Sequence, residues 1–148
     1  MYLAAPLFSV AERAFNERLA ANLERLGPVY LPQRDGALVP DLIASGLSRT
    51  EAKRAVFQRD IGSIQECEVL VAVLDGRTID EGVAVELGYA YAIGKPCIGY
   101  KTDFRQLSEF GDNPMIEGTL LHSTTDLADL LRTVGAARER LVPRADCL

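Results

Sequence analysis

Residues 68–100, "EVLVAVLDGRTIDEGVAVELGYAYAIGKPCIGY", decide the fold. The run "EVLVAVLD" is apolar at nearly every position, the pattern of a central parallel strand covered on both faces. Asp80 suits a helix N-cap, Glu81 an acid in the first turn, and Gly94 a stop, so a helix is predicted between them. "PCIGYKT", residues 96–102, then reads as another strand. One side chain in this stretch is out of place. Glu86 sits among Val, Ala, Leu, Tyr and Gly, where an unpaired carboxylate costs several kcal/mol or takes up a proton. It has to be paired, solvated or used.

Outward from this stretch the chain keeps alternating strands with helices. "MYLAA" (residues 1–5) is a short apolar run ended by Pro6, and Ser9 caps a helix that runs to a stop at Gly27. "PVYLP" (28–32) predicts a second strand, and the turn-rich stretch after it carries a short helical piece over residues 38–44. Ser48 and Glu51 form a capping box opening a helix through residue 67, with Ala52, Ala55, Val56, Ile61 and Ile64 towards the core. "TLLHS" (119–123) predicts a fifth strand, followed by a helix from 126 to about 140. The expectation is therefore one domain spanning residues 1–148. Its fold would be a three-layer α/β sandwich on a five-stranded parallel sheet, with ligands beyond the carboxyl ends of the strands.

Composition narrows the function classes. The 148 residues bury a core without staples, 48% hydrophobic and 25% charged residues match a soluble globular protein, and no apolar run reaches the roughly 20 residues of a membrane span. The N-terminus lacks a signal-peptide pattern, which places the protein in the cytoplasm by expectation. A net charge of −5 without a basic patch argues against nucleic acid as partner. Cys67, Cys97 and Cys147 have no C-x-x-C spacing, so no zinc site or disulfide framework is expected, and Cys67 and Cys97 read as small core residues. His122 is the single histidine and reads as an ordinary strand or loop residue. No phosphate-binding glycine motif and no G-x-S-x-G elbow occurs, and no cofactor or metal is implied.

On a helix, Gly82, Val83, Tyr89 and Ala90 share the face of Glu86, and Gly82 and Ala90 leave room beside its carboxylate. Asp60, Asp75, Asp80 and Glu81 are further acids that could reach the same pocket. Equally, Asp80 and Glu81 suit the start of their helix, Asp60 suits a solvated helix face, and Arg59 could neutralise Glu86 across the helices.

"YLAAP" at 2–6, "RDIGSIQECEVLVAVLDG" at 59–76 and the D-x-G-x-x-x-E-L-G-Y-A pattern at 80–90 together resemble the nucleoside 2-deoxyribosyltransferase family over nearly the whole chain. The resemblance implies a flavodoxin-like fold and transfer of 2-deoxyribose between nucleobases through a covalent deoxyribosyl-enzyme. By match to the family pattern, Glu86 would be the nucleophile, Tyr2 the hydroxyl that orients it, and Asp60 the residue that holds or protonates the base. Asp80 would belong to the nucleoside site with Gly82 beside it, and Asn113 of "GDNP" would reach a neighbouring subunit's site. The resemblance thus implies a homo-oligomer acting on nucleosides and free nucleobases, with the chain end "RADCL" near the site.

Gln33 and Asp35 in "LPQRDG" are candidates to touch the base, or turn residues. Two carboxyl groups suit such a reaction. One attacks the anomeric carbon, and the other, Asp60 or Asp80 with its pKa raised by burial and by the neighbouring acids, protonates the leaving nitrogen. A related alternative is a deoxynucleoside 5'-monophosphate N-glycosidase, but "APLFSVAER" puts a proline and large apolar side chains where a phosphate needs bare backbone amides. A further alternative is a nucleoside sensor without turnover.

Overall fold

The computed structural model describes residues 1–105, 107, 109 and 111–141. Cys147 and the "RADCL" segment lie outside the described residues. Four strands, β1 (Tyr2–Ala4), β2 (Leu70–Val73), β3 (Cys97–Tyr100) and β4 (His122–Thr124), form one parallel sheet in the order β1-β2-β3-β4. Register pairs Tyr2 with Leu70, Leu70 with Cys97, and Ile98 with His122.

The expected five-stranded sheet therefore has four strands plus a remnant. Residues 28–32 make only a single parallel bridge, Tyr2 to Tyr30, on the side of β1 away from β2. Pro28 and Pro32 explain this: neither has an N–H to donate, and Pro32 already opens a short helix, α2 (Pro32–Asp35). The last strand is also displaced, because Thr119 closes the turn after a four-residue helix by bonding back to Ile116 O.

Helices cover both faces. α1 (Val10–Leu23) is opened by a capping box in which Ser9 Oγ accepts from Glu12 N and the Glu12 carboxylate accepts from Ser9 N. α3 (Val39–Ala44) is short, and α4 (Arg49–Glu66) is opened by the Ser48–Glu51 box. α5 (Glu81–Ala92) links β2 to β3, α6 (Pro114–Glu117) precedes β4, and α7 (Leu127–Leu141) closes the described chain.

Alternation along β1 divides the core. Leu3 joins Leu19, Leu23, Val71, Ile98, Leu130 and Val134 in the layer under α1 and α7. Tyr2 and Ala4 face the opposite layer with Ile64, Leu70, Val83, Leu87 and Cys97, under α4 and α5. Cys67 and Cys97 are buried there, as their sequence setting predicts. Ala52 and Ile64 of α4 are fully buried, while Ala55, Val56 and Ile61 are only half-buried. The face of α4 is thus incompletely covered. Among the described residues no helix is long and apolar enough to cross a membrane.

Gly99 in β3 is closely packed on its side-chain face. A Cβ there would lie 2.6 Å from Leu74 Cδ1 and 3.0 Å from Leu120 Cδ1. Gly99→Val is expected to destabilise the fold by about 2 kcal/mol through overpacking. A denaturant melt with an unchanged midpoint would show that this contact relaxes freely.

Candidate active site

Three local rules place the acids. Asp80 caps α5, its Oδ1 accepting from Gly82 N at 2.9 Å and Val83 N at 3.1 Å, so a carboxylate stands at the positive end of the helix. A Cβ on residue 82 would meet that same Oδ1 at 3.0 Å, and glycine keeps the cap uncrowded. One turn further, Glu86 points down onto the sheet. Its Oε1 accepts a hydrogen bond of 2.6 Å from the hydroxyl of Tyr2, which is fully buried.

The sequence alone does not predict the next contact. Tyr30, at the single bridge beside β1, stacks on Tyr2 with ring centroids 5.4 Å apart and planes 18° apart. Its hydroxyl donates to Asp60 Oδ1 at 3.2 Å. A tyrosine between two prolines beside the first strand was the available signal. Only the pairing of Tyr30 with Tyr2 reveals its meaning.

Asp60, Gly82 and Glu86 line one cavity of about 530 Å³, whose other walls include Val39, Phe57 and Val85. Apolar walls set the electrostatics. Burial pushes the Glu86 carboxyl up to about 7; the Tyr2 hydroxyl opposes the shift, while the charges of Asp60 and Asp80 add to it. Burial also raises Asp60, against the hydrogen bond from Tyr30 and the charge of Arg59. Tyr2 is raised by burial and then by the Glu86 charge, so it stays a neutral donor at working pH. Among the described residues no cation lies within ion-pair distance of Glu86, so the pairing with Arg59 does not form.

The other candidates lie apart. Gln33, on α2, gives its Nε2 to Arg13 O and Glu17 Oε1, both at 3.0 Å, and its Oε1 accepts from Asn16 at 2.9 Å. Within one chain it is tied to α1 rather than to the Glu86 cavity. Asp35 caps its own helix, accepting from Leu31 N at 2.8 Å. Asn113 caps α6 by accepting from Met115 N and lines a separate cavity of about 450 Å³ with Thr78, Ile79, Asp112 and His122. Asp75 accepts from Thr102 N, Thr102 Oγ1 and Asp103 N, fastening the ends of β2 and β3 together. Asp80 borders a third cleft, of about 690 Å³, with Phe8, Asn16 and Phe104. His122 pairs with Asp129 at 2.8 Å on the surface.

This fold has known counterparts. The chain belongs to the nucleoside 2-deoxyribosyltransferase family, whose model matches residues 1–131. A nucleoside deoxyribosyltransferase of Limosilactobacillus fermentum is 31% identical over 104 residues, which is 66% of this chain and 62% of that protein. The match thus spans about three fifths of that relative's length. A conserved protein of Enterococcus faecalis V583 has a crystal structure similar at TM-score 0.74, with 28% identity over 94% of this chain and 96% of that one. The 2-deoxyribosyltransferase of Bacillus psychrosaccharolyticus shares the fold at TM-score 0.73, with 23% identity over 88% of each chain. The CMP N-glycosidase of Clostridium botulinum shares it at 0.55, with 21% identity over 90% of this chain and 96% of that one.

The raised carboxyl has a thermodynamic signature. Between the ordinary carboxylate range and about pH 7 the folded chain holds a proton on Glu86 that the unfolded chain has lost, so stability falls as pH rises through this window. Glu86→Gln removes that loss. The variant is expected to match the wild type near pH 4.5 and to exceed it at pH 8 by on the order of 2 kcal/mol, allowing for solvent in the cavity. Parallel stability curves for the two proteins across this range would contradict the shift.

Proposed function

We propose that this chain is an enzyme that transfers 2-deoxyribose between nucleobases, cleaving the N-glycosidic bond of 2'-deoxynucleosides through a glycosyl ester on Glu86. The observation that carries the reading is the 2.6 Å bond from Tyr2 to Glu86 Oε1 beside an apolar cavity that also holds Asp60. Tyr2 occupies Oε1 and leaves Oε2 to attack the anomeric carbon. As that bond forms, the C–N bond breaks, its electron pair goes to the base nitrogen, and Asp60 supplies the proton. A second base then opens the ester from the side the first one left, and two inversions give net retention.

The reaction sets opposite demands on the two acids. Glu86 must be ionised to attack, and Asp60 must be protonated to give. Burial raises both groups, and they titrate as a coupled pair. Gly82 lines the Glu86 cavity, and Asp80, which caps the same helix and borders another cleft, would meet the sugar from that side. Asn113 and Glu86 line separate cavities of one chain, and in a cytoplasmic homo-oligomer Asn113 would reach the site of a neighbouring copy.

A 5'-phosphate is poorly served. The amide of Ser9, which would face such a phosphate, donates to the Glu12 carboxylate at 2.6 Å, and an anion already fills the helix terminus. Base exchange is therefore favoured over hydrolysis of a deoxynucleotide. A sensor would have no use for a tyrosine-oriented carboxylate.

Incubation with deoxyinosine and free adenine is expected to yield deoxyadenosine, with kcat/KM falling as pH drops below about 7 because Glu86 takes up a proton. Glu86→Ala should lose on the order of 10⁴-fold in rate while remaining folded. Exchange that survives in the variant, or consumption of deoxynucleoside 5'-monophosphates in place of exchange, would overturn the reading.

A further inference from the structure

Tyr30 has no part in the steps above, yet it touches two groups that do. Its ring lies on Tyr2 and its hydroxyl reaches Asp60 Oδ1. Its backbone is fixed on both sides, the N–H donating to Met1 O at 2.8 Å and the C=O accepting from Leu3 N at 3.0 Å. Tyr2, underneath it, is anchored in the sheet by pairing with Leu70. A phenol held by its backbone, its ring and its hydroxyl has little freedom left.

This geometry bears on where Asp60 keeps its proton. A carboxylic acid presents its hydrogen from one oxygen only, and an oxygen that already accepts from a phenol cannot also point a hydrogen at it. While Tyr30 donates, Oδ1 is the accepting oxygen and the hydrogen of a protonated Asp60 sits on Oδ2.

We propose that Tyr30 is a positioning residue for Asp60: stacked on Tyr2, it fills Oδ1 and reserves Oδ2 for the nitrogen of the departing base. The inference rests on the deoxyribosyl-transfer reading for its functional consequence. General acid catalysis requires the donor within hydrogen-bond reach and correctly aimed, and a donor whose two oxygens exchange roles spends part of its time aimed wrongly. Because Tyr2 holds the nucleophile and carries Tyr30 on its face, one pair of stacked rings sets both the attacking oxygen and the proton donor.

Several groups surround Asp60. Arg59 and Lys53 come from its own helix, Glu81 and Glu86 from α5, Tyr2 from β1, and Ser63 lies against the Tyr30 hydroxyl. Burial raises Asp60, and the Tyr30 bond is first among the influences opposing it. Loss of that hydroxyl should move the Asp60 titration upward.

The test compares Tyr30→Phe, Asp60→Asn and the double variant in the exchange assay, together with a carbon NMR titration of the Asp60 carboxyl. Tyr30→Phe keeps the ring and its stacking, so the fold is expected to survive. We expect about a tenfold loss in kcat with KM little changed, no further loss when Asp60→Asn is already present, and an upward move of the Asp60 titration. Tyr30→Leu, which also removes the stack, should lose more. Equal losses from Tyr30→Phe in both backgrounds, or an unmoved Asp60 titration, would overturn the proposal. If the wild type makes no deoxyadenosine, the transfer reading falls by itself, and a titration that moves still supports Tyr30 as the partner that fixes Asp60.

Discussion

A carboxylate held against an apolar wall needs a partner, and here the partner is one phenol. Tyr2 and Glu86 stand 84 residues apart in sequence, one on the first strand and the other on the helix after the second. Their bond requires β1 and α5 to be in register, which in turn requires β1 to pair with β2 as it does. An ion pair at this position would lock the carboxylate. A neutral donor orients it and leaves it free to react.

The surrounding residues follow from that constraint. Glycine at position 82 keeps the Asp80 cap compact and leaves space over the carboxylate. Tyr2 and Ala4 must face the α4 and α5 layer while Leu3 faces the other, so a slip of one residue in β1 would bury the hydroxyl away from the site. The half-covered face of α4 supplies the cavity wall and carries Asp60. What would be a packing defect in a purely structural helix is here a cavity beside the carboxyl groups of Asp60 and Glu86.

Much of this was legible in the chain. Ser9, Ser48 and Asp80 announce helix starts because capping is a local hydrogen bond between residues a few positions apart. "EVLVAVLD" announces a central strand because burial on both faces removes the alternation an exposed strand shows. The oddity of Glu86 could be seen for the same reason: one charge interrupts a long apolar pattern. The remainder depends on contacts across the sheet. Nothing near residue 30 in sequence says that its ring lies on Tyr2, and the flanking prolines, which reduce the expected strand to one bridge, lie inside the stretch that reads as that strand. Gln33 turns towards α1 because Asn16, buried beside it, provides an amide partner, and that partner lies on another element. Asn113 was placed at the start of a helix too short to leave a periodic pattern.

The central claim is that Glu86 is kept in its hydrophobic setting in order to bond to a sugar carbon. Mixing the protein with a deoxynucleoside alone, quenching in acid and mapping the peptides by mass spectrometry tests it most directly. The account predicts one deoxyribosyl group on the peptide that carries Glu86, with an equal amount of free base released. Release of base with that peptide unmodified, or a sugar attached to a different residue, would contradict it.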